Sequence, residues 1–214
     1  MKIAVITPSI RPAGLETAFN TLKQQTFTDW KWYPRLSIPG EKPDLCRQMN
    51  RALAEARKDG AQLVVFLQDH IEVMPDALER AWARFEANPM ALWTFPVSQR
   101  TETDVKGDWR FSTSIDTPLK PEQWEIDFGA APAAFFNRGI VFDEAYDDGF
   151  GWENVDLAYR ISKVFPDAIF LCDPDNKACA FAHDKYEKHP FKHKPNADLW
   201  TVKKAVIDLQ YGSE

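Results

Sequence analysis

The sequence has no Pro/Gly/Ser-rich linker, no internal repeat and no low-complexity stretch, so nothing in it marks a seam at which 214 residues would divide into separately folding pieces. A single domain is expected. It also lacks any hydrophobic run beyond strand length: stretches such as Leu63 to Leu67 fall far short of the roughly 20 residues needed to cross a bilayer. The opening MKIAVITPS has too short an apolar part for a secretory leader, and Pro8 and Arg11 follow it where a cleavage site would be. It reads as a first strand. Cysteine is scarce: Cys46, Cys172 and Cys179 are odd in number and lack CxxC spacing, which argues against a disulfide framework or a cysteine metal site and for reduced, buried thiols in a cytoplasmic protein. An excess of positive charge is missing too. A net charge of −6 argues against a protein that coats nucleic acid. One basic stretch remains, with seven lysines against three acids from Lys177 to Lys204 and with His183, His189 and His193, and it would suit a phosphate-bearing ligand or a solvated face.

What the sequence does have is alternation. Lys2 to Thr7 is rich in Ile and Val; Pro8, Pro12 and Gly14 punctuate; Leu15, Ala18, Phe19 and Leu22 then recur at helical spacing. A second strand is expected at Trp30 to Leu36, and a helix with Leu45, Met49, Ala52, Leu53 and Ala56 on one face follows, ending at Gly60. Leu63 to Leu67 is a short continuous apolar run, the mark of a parallel strand covered on both faces. A helix after Pro75 (Leu78, Ala81, Trp82, Phe85) and a strand from Ala91 to Val97 complete the beat. This pattern implies an α/β protein with a doubly wound, Rossmann-like, mostly parallel sheet flanked by helices, whose ligands bind beyond the carboxyl ends of the strands, after Thr7, Leu36, Leu67 and Val97.

The second half is less regular. Ser98 to Glu125 is polar and reads as a long surface excursion, Phe128 to Asn137 as a strand, and Gly149 to Trp152 as a tight turn. A helix from Glu153 carries Leu157, Ala158, Ile161 and Val164 inward; Ala168 to Cys172 and Ala178 to Ala182 read as strands, and Asp198 to Leu209 as a closing helix.

Three blocks carry chemistry. The first is Ile6-Thr7-Pro8-Ser9-Ile10-Arg11-Pro12, leading through a helix to Gln25-Thr26. The second, Gln68-Asp69-His70, sits where the third strand runs out, and its carboxylate and imidazole are costly to bury unpaired. Mixed oxygen and nitrogen donors suit a divalent ion such as Mn2+ better than Mg2+. The third is Gly151-Trp152-Glu153-Asn154-Val155-Asp156-Leu157-Ala158-Tyr159-Arg160.

In this order and at this separation the blocks resemble the family-two glycosyltransferases and related GT-A enzymes. The resemblance implies a GT-A fold with residues 1–97 forming the nucleotide-sugar-binding half and 98–214 the acceptor-binding and catalytic half. It implies transfer of a hexosyl or N-acetylhexosaminyl group from a nucleotide-diphosphate sugar, most simply a UDP-sugar, with Mn2+ or Mg2+ between the diphosphate and the loop. Carried over residue by residue, it puts Pro8, Ser9, Arg11, Gln68 and Asp69 at the donor, and Asp69, His70 and His183 on the metal. It puts Gly151 and Trp152 at the acceptor, Trp152 stacking on a sugar ring, and Glu153, Asn154 and Asp156 at the catalytic centre.

Three departures qualify the resemblance. Gln68 stands where the family's Asp-x-Asp has its first acid. Trp32 to Ser37 shows no counterpart of the acid that contacts the nucleoside. Asn154 replaces the Asp that serves inverting relatives as base, and an amide has no basic form near neutrality. Glu153 is then expected to position the acceptor or act as base, with Asn154 hydrogen-bonding donor or acceptor and Asp156 acting or bracing the loop. The Glu-Asn pair and Phe66-Leu67-Gln68-Asp69-His70 also partly resemble the retaining polypeptide N-acetylgalactosaminyltransferases, in which the leaving phosphate accepts the proton. Two other readings are open: a non-catalytic nucleotide-sugar-binding module, favoured by the two amides, and a nucleotidyltransferase, which should show a Gly-rich phosphate loop that Pro8 to Leu15 lacks. The acceptor is expected to be a glycan, a protein side chain or a modified nucleic-acid base, met by Ser98 to Glu125 and the Lys-rich C-terminal stretch.

Overall fold

The computed structural model describes residues 1–9, 12–37, 44–100, 105–137, 139–148, 152–181 and 193–211. In chain order the elements are β1 (Ile3–Ser9), α1 (Pro12–Leu22), β2 (Trp30–Leu36), α2 (Leu45–Lys58), β3 (Leu63–Leu67), β4 (Ile71–Val73), α3 (Ala77–Ala87), β5 (Ala91–Thr94), β6 (Val97–Arg100), β7 (Val105–Lys106), β8 (Phe128–Pro132), α4 (Ala133–Phe136), α5 (Glu153–Val164), β9 (Ile169–Cys172), β10 (Ala178–Phe181) and α6 (His193–Tyr211). Single 3-10 turns lie at Trp109–Ser112, Pro121–Gln123 and Glu144–Asp148.

Six strands form the central sheet in the order β2-β1-β3-β8-β5-β9. β1 pairs in parallel with β2 and β3, and β5 in parallel with β9, while β8 runs antiparallel to both of its neighbours. Five strands therefore share one direction and β8 alone opposes them, which makes the sheet mostly parallel as expected. The second sheet, β4-β10-β6-β7, is small.

The central strands are apolar on both faces because each face has its own helical cover. Ala4, Ile6, Val64 and Phe66 point to one side, where Met49, Ala52 and Leu53 of α2, Leu157 and Ile161 of α5, and Trp200 and Ile207 of α6 pack. Ile3, Val5, Leu63, Val65 and Leu67 point to the other, against Leu22 of α1, Leu78, Ala81 and Trp82 of α3, and the small sheet's Ile71, Val97 and Ala180. The period-2 alternation of a strand thus divides one sequence run between two cores. Among the described residues no helix is long and apolar enough to cross a membrane. The three cysteines are free thiols, Cys46 and Cys172 buried.

Three expectations need correction, and one strand is new. The stretch from Ala91 to Val97 is two strands in different sheets, broken at Phe95-Pro96, since Pro96 has no N–H for a ladder. Phe128 to Asn137 is a strand only to Pro132, after which α4 begins. β4 was not anticipated. The excursion from Ser98 to Glu125 is not confined to the surface: Arg110 and Trp124 are buried in it, and Trp124 Nε1 donates to the Trp93 carbonyl at 3.0 Å.

Candidate active site

The chain leaves β1 for β2 on one side and returns to β3 on the other, so the carboxyl ends of β1 and β3 diverge into a crevice at the point where the winding reverses, the place where open α/β sheets bind ligands. Pro8 and Ser9 end β1, with Pro8 opposite Arg35 in the ladder to β2. Gln68, Asp69 and His70 follow β3 directly. Ser9 Oγ donates to Asp69 Oδ2 at 2.6 Å across the crevice, and His70 Nδ1 lies 3.2 Å from Asp69 Oδ1. The first turn of α1 closes over this carboxylate: a Cβ on Gly14 would lie 2.2 Å from Asp69 Oδ2, so no larger side chain fits there while Asp69 stays in place. A helix N-terminus beside an acid is electrostatically favourable.

The far end of α1 grips the segment that follows the loop. Thr21 Oγ1 both donates to the Val73 carbonyl and accepts from its N–H, each at 3.0 Å. Gln25 Nε2 donates to the Met74 carbonyl at 2.8 Å and Gln25 Oε1 accepts from Leu78 N at 3.0 Å, while Thr26 N donates to the Pro75 carbonyl at 2.8 Å. The Gln25-Thr26 pair of the first block therefore has a structural purpose, which is to fix the exit of the Asp69 loop against α1.

Gln68 is explained by a neighbour the sequence did not reveal. Its backbone N–H donates to the Asp127 carbonyl at 2.9 Å and its side-chain Nε2 to Asp127 Oδ1 at 2.6 Å. A carboxylate at position 68 would face another carboxylate; the amide donates instead. Asp127 enters from the chain leading into β8, whose antiparallel register sets Phe128 opposite Leu67. Burial raises its pKa, as does Asp108, while the Arg110 guanidinium, His70 and the Gln68 amide act to lower it. Glu125 lies two residues earlier. Burial pushes its carboxyl up to about 7, aided by the charges of Asp127, Glu153 and Asp108 and opposed by Arg110.

Asn154 follows the same logic as Gln68. Its Nδ2 donates to the Trp124 carbonyl at 2.8 Å and to Glu125 Oε2 at 3.2 Å, using both amide hydrogens. Arg110 forms the base of this region. It pairs with Asp108 at 2.5 Å, donates to Thr94 Oγ1 at 2.7 Å, and the Thr94 hydroxyl in turn donates to the Glu125 carbonyl at 3.1 Å. Gly129 permits this close approach, since a Cβ there would stand 2.6 Å from the Glu125 carbonyl oxygen. Sequence reading missed Glu125, Asp127 and Arg110. The available signal was two acids at i, i+2 directly before a strand of small residues.

Glu153 opens α5 and is 8% exposed. Burial, followed by the charges of Asp127 and Asp147, pushes its carboxyl up to about 7 against a lowering contact with backbone. Trp152 before it has φ 74°, the one positive φ on a non-glycine side chain among the described residues, and its half-buried ring packs on the core beneath α2 and α5. Backbone held in this region stores strain, a feature that concentrates at functional sites. Asp156 is placed differently from its neighbours. It is 1% exposed and paired with Arg160 at 2.6 Å, and Arg160 continues to the Val141 carbonyl at 2.8 Å, so Asp156 ties α5 to the preceding segment.

The structure thus brings Ser9, Asp69 and His70 together at the ends of β1 and β3, joins Gln68 to Asp127 beside them, and joins Asn154 to Glu125, with Glu153 next to Asn154 at the start of α5. Arg11, Gly151 and His183 lie outside the described residues. Among the described residues no three His, Cys, Asp or Glu side chains converge as a metal site, so Asp69 and His70 offer two ligands of a set that would need completion.

No family model matches the sequence, and no curated protein matches it. Solved structures do match the fold. Staphylococcus aureus TarS 1-349 in complex with UDP-GlcNAc superposes with a TM-score of 0.75 at 14% identity, covering 100% of this chain and 68% of that one. The UDP complex of the same fragment gives 0.70 at 14% identity, covering 100% and 67%. A longer TarS chain gives 0.64 at 13% identity, covering 85% of this chain and 37% of its own length. The fold shared with these structures, a mostly parallel sheet flanked by helices, is the GT-A fold.

Proposed function

We propose that this chain is a glycosyltransferase that takes its sugar from a UDP-sugar and uses Mn2+ or Mg2+. The observation that carries the reading is the meeting of Ser9, Asp69 and His70 at the reversal point of a GT-A sheet whose structural neighbours are complexes of UDP and UDP-GlcNAc. The diphosphate would lie over the ends of β1 and β3, with Pro8, Ser9, Arg11 and Gln68 beside it. Asp69 and His70 fit a cation of the Mn2+ class in donor type, and because they supply two ligands, diphosphate oxygens and His183 are the natural remainder. Bound there, the cation would offset the negative charge that develops on the departing diphosphate.

The chain's own residues have distinct tasks. Ser9 orients Asp69 through its hydroxyl. Gln68 anchors the loop to β8. Glu153 at the α5 N-terminus positions the acceptor side from a nearly covered place, Trp152 offers a ring against a sugar, and Asp156 braces the helix. Residues 1–97 hold the donor and 98–214 the acceptor. The transferred group is a hexose or N-acetylhexosamine, and the acceptor is a hydroxyl-bearing glycan, protein or nucleic acid.

A thermal-shift screen of UDP and UDP-sugars with and without Mn2+ tests the reading, since a ligand at 100 times its dissociation constant stabilises by about 2.7 kcal/mol. Stabilisation by UDP-sugar that needs Mn2+ and vanishes in Asp69→Asn is expected; indifference to every UDP-sugar would overturn it. The two amides at Gln68 and Asn154 favour a second reading, a module that binds the donor without catalysis. Release of UDP from a bound UDP-sugar separates the two.

A further inference from the structure

Both positions at which an amide stands in place of an acid direct that amide to the same short segment. Gln68 donates to Asp127 at 2.6 Å and Asn154 to Glu125 at 3.2 Å. Trp124, Ile126 and Phe128 are buried, and Glu125 and Asp127 alternate with them, half-buried. The acids are therefore not lost from the site; they stand in the segment that leads into β8, the strand that runs against the rest of the sheet. Resting on the glycosyl-transfer reading above, we propose that Glu125 is the general base of the reaction, taking the proton of the acceptor hydroxyl in the role that position 154 cannot fill.

The alternatives are each committed elsewhere or less accessible. Asp156 is held by Arg160, and Asp127 by Gln68. Glu153 is almost fully covered. Glu125 retains exposed surface, and Asn154 holds Oε2, which orients Oε1. The groups that face it are Asp127, Glu153 and Asp108, which favour its protonated form, and Arg110, which opposes them; with burial leading, the balance near 7 suits a base working at neutral pH.

In the transfer step the acceptor oxygen bonds to the anomeric carbon of the donor sugar as the bond from that carbon to the diphosphate oxygen breaks. The bonding pair leaves with the nucleoside diphosphate, the acceptor's proton passes to Glu125, and the anomeric configuration inverts. Protonated Glu125 then releases the proton to water.

The test uses the full chain with Mn2+ and UDP-GlcNAc, or the UDP-hexose that the thermal-shift screen selects, with water as acceptor. UDP release is followed from pH 5 to 9 and the anomer of the freed sugar is read by proton NMR. Glu125→Gln is expected to lower kcat at pH 7.5 by about 100-fold or more. KM and the stabilisation by UDP should stay near wild type, and the rise of activity through pH 7 should disappear. Azide, an anionic nucleophile that brings no proton, should restore turnover in this variant as an inverted glycosyl azide. Circular dichroism and melting of the UDP complex establish that the variant is folded.

A Glu125→Gln rate within threefold of wild type overturns the assignment, and so does a retained anomer, a loss that azide does not restore, or a wild type that binds the UDP-sugar yet releases UDP to neither water nor azide. Absence of any UDP-sugar binding by the wild type is a different failure, because it removes the glycosyltransferase reading itself.

Discussion

The two ends of the crevice treat their acids in opposite ways. At the β1–β3 end Asp69 accepts from the Ser9 hydroxyl, has the His70 ring beside it, and is covered closely by the first turn of α1 at Gly14. At the β8–α5 end Glu125, Asp127 and Glu153 crowd one another, and burial raises the proton affinity of all three. The first arrangement presents an oriented carboxylate and an imidazole, the donor types that a cation between the protein and a diphosphate would need. In the second, Glu125 and Glu153 are brought to exchange protons near neutrality, which is what the proposed transfer from an acceptor hydroxyl would require. On the proposed reading, one site separates binding from proton transfer by environment, using the same kind of side chain in both places.

The comparison is broken most severely by removing the cation that restrains the crowded end. Arg110 and Asp108 are both almost fully buried and paired at 2.5 Å. Arg110→Met leaves Asp108 without its partner, an outcome that costs about 3–5 kcal/mol for buried pairs, measured by urea unfolding. Losing the guanidinium also raises the proton affinity of Glu125 and Asp127 further, so any activity left should move to higher pH.

Titration sharpens the comparison next. Glu125 and Glu153 rise from 4.5 when unfolded to about 7 when folded, so the native state holds protons more tightly. Their contribution to stability is complete below pH 4.5 and is lost as pH climbs through 7, on the order of 2–3 kcal/mol per group. Chemical unfolding at pH 5 and pH 8 should show the folded state weakening over that interval. Glu125→Gln and Glu153→Gln should each remove part of the slope, and Asp69→Asn should leave this component in place.

The β1–β3 end was more legible in the sequence than the β8–α5 end, and the reason is physical. Helical spacing in α1, α2 and α3 and the continuous apolar run of β3 state their burial directly, so Asp69 and His70 could be located just past a strand end before any coordinates. The strand at β8 was legible too, but nothing in it marks its direction or its end at Pro132. Five residues, Phe128 to Pro132, read the same whichever way the strand runs, and α4 is too short to show a period. Glu125 therefore appeared as the end of a polar excursion, and Asp127 stood unassigned between it and the strand. Only the antiparallel register, with Phe128 opposite Leu67, carries them to Gln68. The amides were visible as departures from the glycosyltransferase pattern; the acids that answer them depend on a long-range pairing that composition does not encode. The placement of Asp156 in an ion pair was more accessible, since Arg160 lies four residues on along the same helix.

At the binding end, Gly14→Ala tests whether Asp69 needs its close cover. The added methyl carbon would lie 2.2 Å from Oδ2, so the carboxylate must move away from Ser9. Affinity for UDP with Mn2+ should fall by about tenfold or more, roughly 1.4 kcal/mol, by calorimetry. The β8–α5 end does not touch this position, and the pH dependence of unfolding between 5 and 8 should be unchanged.

The smallest effect on ligand binding is expected at Thr21, which reaches the β1–β3 end only through the backbone. Its hydroxyl satisfies both the N–H and the carbonyl of Val73, and Val73 is the last residue of β4, the strand that begins immediately after His70. Thr21→Val keeps the shape of the side chain while leaving two backbone groups without that partner, which should cost about 1–2 kcal/mol of stability because each has to find water or go unpaired. The consequence for ligand binding follows from where the remaining restraints act. Gln25 and Thr26 still hold Met74, Pro75 and Leu78, so the loop keeps its outer anchor, while Ser9 keeps Asp69. UDP affinity should therefore fall by no more than about threefold even as the melting temperature drops. If affinity instead fell as far as in Gly14→Ala, the position of Asp69 would depend on the β4 backbone more than on the cover at Gly14, and the binding end would be held from behind rather than from above.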